Sequence, residues 1–228
     1  MRHALILAAG LGERMRPLTT HTPKPLLEVN GKPLIVHHIE KLVAADVRYI
    51  VVNTSHLAEQ FPETLGDGSQ WGVRIRYSYE GPTPLETGGG MHKALPLLGP
   101  EPFIVVSADI WSDIDYAALP REPAGIAHLV MVGNPDFHPK GDFALANGRL
   151  YEGDGPAGAQ RLTFGNVGVY RREIVEGEVA GRFKLLPMYQ RAIAAGRLSG
   201  ERYDGFWRNV GTPAQLDELR ENLDSRRA

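Results

Sequence analysis

The chain has 228 residues, of which 43% are hydrophobic and 23% are charged, as in an ordinary globular protein. Its formal net charge of −2 at pH 7 excludes a broad polyanion-binding surface, so any phosphate site must be a local cluster of cations. The chain has no cysteine, which excludes disulfides and cysteine catalysis, and no apolar run approaches the roughly 18 residues of a membrane span. We therefore expect a cytoplasmic monomer or small homo-oligomer that binds neither nucleic acid nor a membrane.

Apolar runs of strand length alternate with helix-like stretches along the first half of the chain. The runs at residues 3–8 and 48–53 have the unbroken apolar character of buried parallel strands. This alternation predicts an α/β fold with a doubly wound, mostly parallel, Rossmann-like sheet, which binds ligands beyond the carboxyl ends of its strands. The predicted strands cover residues 3–8, 48–53, 102–107 and 126–132, and the predicted helices lie within 33–46, 55–65 and 88–98.

The second half of the chain is less regular. Residues 133–158 are rich in Gly, Pro, Asp and Asn, which predicts loops and short edge strands. No repeat, linker or low-complexity segment interrupts the chain, so we expect a single domain with an irregular C-terminal lobe. The elements predicted in this lobe are a strand over 161–170, a helix over 185–196, and a last helix with Thr212 as N-cap and Pro213 at its first position.

A glycine-rich turn follows the first predicted strand. Gly10 and Gly12 allow the backbone to approach a ligand, and their N–H groups can then point at anionic oxygens. Arg14 and Lys24 come next, and the prolines on both sides of Lys24 stiffen its backbone. No Gly-Lys-Ser/Thr follows the glycines, so this is not a Walker A loop. The segment predicts a phosphate cradle with positioned cations.

This segment resembles the signature of the sugar-1-phosphate nucleotidylyltransferases. That family reads Leu-Ala-Ala-Gly-x-Gly-x-Arg, then Pro-Leu-Thr, then Pro-Lys-Pro, and each motif occurs in order within residues 7–25. The resemblance implies a GT-A-like nucleotidyltransferase fold, with a nucleotide-binding half over 1–132 and a sugar-binding half over 133–228. It extends along nearly the whole chain through residues 84–90, 105–111, 140–143, 166–170, 183–187 and 206–213.

The resemblance also implies a reaction and a set of site residues. A nucleoside triphosphate and a sugar 1-phosphate would give a nucleotide sugar and pyrophosphate, with Mg²⁺ as cofactor and without a general base. The implied catalytic residues are Arg14 and Lys24, and the implied metal ligands are Asp109 and Asn209. The implied nucleotide-binding residues are Ala8, Ala9, Gly10, Gly12, Glu80, Thr87 and Gly88, and the implied sugar-phosphate residues are Gly141, Asn166 and Lys184.

Two positions depart from the family pattern. Ala108 stands where the family usually has Gly, directly before the metal-binding acid. Asn209 stands where the family usually has a second acidic metal ligand. An amide oxygen can still bind Mg²⁺, but it is neutral, so the site loses one negative charge and should bind the metal more weakly.

Residues 85–90 and 109–111 resemble the branch of the family that acts on N-acetylmuramate 1-phosphate, so UTP and this sugar are the expected substrates. A guanylyltransferase acting on mannose 1-phosphate is one alternative. A second alternative, favoured by Asn209, is a binding or regulatory domain that has lost turnover. A Rossmann oxidoreductase is disfavoured, because it would need G-x-G-x-x-G at the start of a helix and prolines follow the glycines here.

Overall fold

The computed structural model describes residues 2–225. Within these residues the α-helices are α1 (Leu34–Ala44), α2 (Gln60–Leu65), α3 (Glu86–Leu98), α4 (Leu186–Ala194) and α5 (Pro213–Ser225). The strands are β1 (His3–Leu7), β2 (Glu28–Val29), β3 (Lys32–Pro33), β4 (Tyr49–Thr54), β5 (Arg74–Tyr79), β6 (Phe103–Ser107), β7 (Ile110–Ser112), β8 (Ala127–Val132), β9 (Phe143–Ala146), β10 (Arg149–Tyr151), β11 (Gln160–Tyr170), β12 (Leu198–Tyr203) and β13 (Trp207–Asn209).

Nine strands form one sheet in the order β5-β4-β1-β6-β11-β8-β12-β10-β9. The first four are parallel, because a helix or loop carries the chain back between them. The long strand β11 then runs antiparallel to both β6 and β8, while β12 lies parallel to β8. The predicted α/β fold is therefore confirmed, and the second half of the chain makes its sheet mixed.

Both faces of this sheet are buried, as a doubly wound arrangement requires. Alternate residues of a strand point to opposite faces, so Ala4 and Ile6 enter one core while Leu5 enters the other. Helix α1 contributes Ile39 to the first core, and α3 contributes Met91 to the second. A third cluster packs α5 against the segment that follows β1, so the end of the chain supports the glycine-rich turn.

Most predicted elements are present, with shifted ends. The predicted helix over 55–65 begins only at Gln60, because Leu57 has a φ of 50° and a turn precedes the helix. Helix α5 begins at Pro213, and the hydroxyl of the preceding Thr212 accepts a hydrogen bond of 3.3 Å from the Gln215 N–H, as the predicted cap requires.

No helix within residues 2–225 is long and apolar enough to cross a bilayer.

Candidate active site

The glycine-rich turn is fixed at its base and open at its tip. The Ala8 N–H donates a hydrogen bond of 2.5 Å to Oδ1 of Asn53 on β4. Gly12 has a φ of 64°, and a Cβ there would lie 2.9 Å from Cγ2 of Thr19. A Cβ on Gly10 would meet nothing within 4 Å. The turn therefore needs glycine at position 12 for its shape, while position 10 faces free space that a ligand can enter.

The side chain of Lys24, which follows the glycine-rich turn in sequence, contacts the Asp109 carboxylate just beyond the end of β6. Lys24 lies in a 3-10 turn over Lys24–Leu26, and its side chain is only 12% exposed. Its Nζ donates to Oδ2 of Asp109 at 2.7 Å, across 85 positions of sequence. The structure thus joins the two residues on which the expected phosphate chemistry depends.

Asn209 is held beside Asp109 by backbone pairing. Strand β13 pairs antiparallel with β7, which sets Asn209 opposite Ile110, and the Val210 N–H donates to the Asp109 carbonyl at 2.8 Å. A Cβ added to Gly211 would lie 2.9 Å from Nδ2 of Asn209 and 3.2 Å from a terminal nitrogen of Arg14, so all these groups converge.

The predicted magnesium ligands supply donors of the right chemistry. Mg²⁺ keeps several waters and is usually bound by one or two carboxylates together with substrate phosphates. Asp109 offers one carboxylate, whose Oδ2 accepts from Lys24, and Asn209 offers one amide oxygen. Asp109 and Asn209 line different cavities, so their shared role as metal ligands remains a prediction.

A cavity of about 390 Å³ opens at the carboxyl ends of β1, β4 and β6. It lies against the glycine-rich turn and the loop before α3, so its walls come from separate parts of the chain. The predicted nucleotide-binding residues that line it are Ala8, Ala9, Gly10, Glu80 and Thr87, whereas Gly12 and Gly88 do not. The predicted catalytic Lys24 and metal ligand Asp109 line it as well.

Glu80 lines this cavity, but both of its oxygens are engaged by the chain. Oε1 accepts from Nδ2 of Asn53 at 2.5 Å, and Oε2 accepts from the Leu85 N–H at 2.7 Å. Burial raises the pKa of the Glu80 carboxyl. Because Asn53 in turn holds the Ala8 N–H, Glu80 orients the base of the glycine-rich turn through Asn53. The sequence signal for Asn53 is a polar residue near the end of a buried strand.

Two glycines near the start of α3, Gly88 and Gly89, leave room for the segment around Phe183. The N–H groups of Gly88 and Gly89 both donate to the Phe183 carbonyl at 3.0 Å. A Cβ on Gly88 would lie 2.5 Å from the Phe183 ring, and one on Gly89 would collide with the Gly181 carbonyl. Gly88 therefore packs against its own chain, and its predicted contact with a nucleotide remains a prediction.

A second, larger cavity of about 670 Å³ adjoins the first and shares with it a wall of Leu7, Glu86, Thr87 and Ser107. Besides Thr87, its lining includes four more of the predicted site residues and a set of aromatic rings. The predicted residues are Arg14, Asn166, Lys184 and Asn209, and the rings belong to Phe137, Phe143, Phe164, Tyr170, Tyr189 and Trp207.

Asn166 enters this cavity from a β-bulge. The register between β11 and β8 shifts between Phe164 and Gly168, and Asn166 has a φ of 58°. Gly141, in contrast, does not line the cavity. It has a φ of 61°, and a Cβ there would lie 2.6 Å from Oδ1 of Asn134, so Gly141 shapes the neighbouring loop.

Glu86 stands on the wall between the two cavities, and sequence analysis missed it. Its φ of 63° is unusual for a residue with a side chain, and Arg182 Nη2 donates to its Oε1 at 2.8 Å. Holding a residue in this backbone conformation costs about 1–3 kcal/mol of free energy. Such strained residues cluster at functional sites. The sequence offered little signal for Glu86, because no motif predicts a glutamate whose backbone lies in the left-handed region.

The fold is shared with solved structures. A crystal structure of a Bacillus anthracis protein in complex with sucrose superposes with a TM-score of 0.84, at 21% sequence identity, and covers 97% of this chain and 95% of that chain. At this identity the likeness concerns the fold.

Two relatives match over nearly their whole length. The N-acetylmuramate alpha-1-phosphate uridylyltransferase of Neisseria meningitidis serogroup B is 46% identical, over 94% of this chain and 95% of its own. The protein of the same name from Caulobacter vibrioides is 37% identical, over 92% of each chain. Residues 3–143 also match the family model described as nucleotidyl transferase. The chain therefore belongs to the nucleotidyl transferase family.

Proposed function

We propose that this nucleotidyltransferase transfers a uridylyl group from UTP to N-acetylmuramate 1-phosphate and releases pyrophosphate. The observation that carries the proposal is the contact between Lys24 and Asp109, beside the wall that the two cavities share. The substrates are inferred from the names of the two relatives that match over more than nine-tenths of this chain.

In the proposed reaction the nucleotide occupies the cavity beside the glycine-rich turn, and the sugar 1-phosphate occupies the larger, aromatic cavity. A phosphate oxygen of the sugar attacks the α-phosphorus, and the bond from this phosphorus to the oxygen of the leaving pyrophosphate breaks. The attacking oxygen is already anionic near neutral pH, so no base has to remove a proton. The barrier comes from two anions approaching, which positioned charges lower.

The cations divide this task. Lys24 stabilises charge at the α-phosphate, Arg14 neutralises the departing pyrophosphate, and Lys184 holds the phosphate of the sugar. Asp109 and Asn209 are the residues that would hold a divalent cation, which supplies further charge neutralisation at the phosphates when bound.

The test is pyrophosphate release over a grid of UTP, GTP, CTP and dTTP against the 1-phosphates of N-acetylmuramate, N-acetylglucosamine, mannose and glucose, with Mg²⁺. Release fastest with UTP and N-acetylmuramate 1-phosphate supports the proposal. Release only with GTP and mannose 1-phosphate contradicts it. Release with no pair favours a binding domain without turnover, the alternative to which the neutral Asn209 points.

Replacing Lys24 with alanine should abolish turnover, because the α-phosphate loses its nearest cation. The fold should survive, since the partner Asp109 side chain remains 34% exposed to water. The measurement is the same release assay together with a thermal melt of both proteins. Turnover close to that of the unsubstituted protein would contradict the role of Lys24.

A further inference from the structure

Three basic side chains line the larger cavity, and two of them lie toward the nucleotide. Arg14 also borders a small hollow that contains Lys24. Lys184 follows Phe183, whose carbonyl is fixed on the first turn of α3 next to Thr87. The third is His138, on the loop of residues 133–142. No residue of this loop lines the smaller cavity beside the glycine-rich turn.

The imidazole of His138 has a fixed orientation. Its Nε2 donates to Oδ1 of Asp142 at 3.0 Å, and Oδ2 of Asp142 accepts from the Phe164 N–H at 2.7 Å. Both oxygens of this carboxylate are therefore engaged. Within residues 2–225 no group forms a hydrogen bond with Nδ1 of His138, whose side chain is 40% exposed. One ring nitrogen is thus available to a ligand.

The loop that carries His138 is braced from both sides. The amide of Asn134 donates to the carbonyls of Pro139 and Arg161 at 3.2 and 3.1 Å. The guanidinium of Arg161 donates to the carbonyls of Lys140 and Gly141 at 2.8 and 3.1 Å. The rim of the cavity is therefore largely formed before substrate binds, which reduces the entropy lost on binding.

Exposed apolar side chains line the same cavity as His138. Phe137 is 58% exposed and Leu186 is 49% exposed, and both line the same cavity. Large apolar side chains that remain exposed at the rim of a cavity point to a ligand that covers them. We call these exposed lining residues, Phe137, His138 and Leu186, the rim of the cavity. The rim combines two apolar side chains with Nδ1 of His138.

We propose that Phe137 and His138 recognise a carboxylate-bearing ether on the sugar, with the ring of Phe137 against its methyl group and the doubly protonated His138 ring donating Nε2–H to Asp142 and Nδ1–H to the carboxylate of the ether. This inference rests on the proposed function, because N-acetylmuramate carries such a lactyl ether at C3. The ether lies two ring carbons from the phosphate-bearing C1, so the phosphate and the ether of the sugar need separate partners in the cavity lining. Phe137 and His138 are then specificity-determining residues of the sugar site.

The experiment compares two sugar 1-phosphates that differ by this ether. Initial rates with UTP are measured for N-acetylmuramate 1-phosphate and N-acetylglucosamine 1-phosphate, using the wild-type chain, Phe137→Ala, His138→Ala and His138→Gln. For the first sugar we expect each alanine variant to raise KM about tenfold or more with kcat nearly kept, since uniform binding is lost. His138→Gln should recover part of this loss, because its amide can still donate a hydrogen bond.

For N-acetylglucosamine 1-phosphate the same variants should leave KM within a factor of two. His21→Ala, at an exposed histidine away from both cavities, is the matched control and should change neither sugar. Equal loss for both sugars would overturn the inference, because the rim would then only shape the cavity. Unchanged KM for both would overturn it as well. A wild-type chain inactive with both sugars would overturn the proposed function itself.

Discussion

At the scale of single residues, the charges around Asp109 govern how the site would bind a cation. One carboxylate stands there with Lys24 at 2.7 Å, and Arg14 lies next to the neutral Asn209. The site therefore carries more positive than negative charge before substrate binds. A divalent cation gains little from such a site alone and gains more when a triphosphate supplies anionic oxygens.

Asn209→Asp should strengthen Mg²⁺ binding and so lower the Mg²⁺ concentration that half-saturates turnover. A second carboxylate beside Asp109 adds Coulomb attraction, and a tenfold lower half-saturating concentration corresponds to about 1.4 kcal/mol. The measurement is a Mg²⁺ titration of pyrophosphate release. Asn222→Asp adds the same charge on α5 and serves as the control. An unchanged titration in Asn209→Asp would argue that position 209 does not bind the metal.

Single residues also show what local motifs can and cannot predict. Lys24 and Asp109 belong to recognisable motifs, and the structure brings them into contact. Asn53 has no motif, because its partners Ala8 and Glu80 are distant in sequence and meet it only in the folded sheet. The role of a buried amide is set by its three-dimensional partners, and sequence spacing does not encode them.

At the scale of elements, the start of α3 and the segment over 181–185 form one unit. Besides the contacts of Gly88 and Gly89, the Leu185 N–H donates to the Thr87 hydroxyl at 3.2 Å. The family resemblance implies that Gly88 binds the nucleotide, and the structure shows that the neighbouring backbone already occupies the space over Gly89. A glycine-rich stretch predicts close approach, but the sequence does not identify the group that approaches.

Gly89→Ala tests this docking. Helix propensity alone favours alanine by about 1 kcal/mol, so an isolated helix would be stabilised. Here the new Cβ meets the Gly181 carbonyl, and the segment bearing Lys184 must move. We expect the free energy of unfolding to fall by about 1–3 kcal/mol, as in overpacked cores, and the KM for sugar 1-phosphate to rise more than that for UTP.

Denaturant unfolding and steady-state rates measure these two effects. Gly133→Ala is the control, because a Cβ there would meet nothing within 4 Å and its backbone is not left-handed. A more stable Gly89→Ala protein with unchanged KM values would contradict the docking argument.

At the scale of the whole molecule, the sequence predicted β1, β4 and β6 among the four parallel strands, and β8 and β11 in the second half, but it predicted neither β5 nor the mixed strand order. Unbroken apolar runs mark β1, β4 and β6, and the helices between them imply parallel order. The second half offers short or polar strands, and β11 alone pairs with three different strands. Which partner such a strand takes depends on long-range contacts, so the mixed order could not be derived from local patterns.

A buried histidine links the layers of the molecule and should make its stability depend on pH. His38 on α1 is 2% exposed, its Nε2 donates to the Ile110 carbonyl at 2.9 Å, and its Nδ1 accepts from the Tyr116 hydroxyl at 2.8 Å. Burial lowers the pKa of His38 from 6.5 to about 4. The folded protein therefore keeps His38 neutral where the unfolded chain binds a proton.

The contribution of His38 to stability is complete above pH 6.5 and is lost as the pH falls toward 4. Between pH 7.5 and 5 the loss should be about 2 kcal/mol of unfolding free energy. Denaturant unfolding at the two pH values measures it, and His38→Gln, which cannot take up a proton, should show a correspondingly smaller loss. His21→Gln should keep the original dependence. Identical pH dependence in all three proteins would rule out His38 as its source.

The wall shared by the two cavities has a consequence for ligand design. Leu7, Ser107, Glu86 and Thr87 line both spaces, so the two cavities adjoin along these four residues. A compound that joins a uridine part to a muramoyl part through a phosphate-like link would fill both cavities at once. Its second half would bind at the high effective concentration set by the link and lose translational freedom only once. Bridging compounds should therefore exceed the affinity of either half alone.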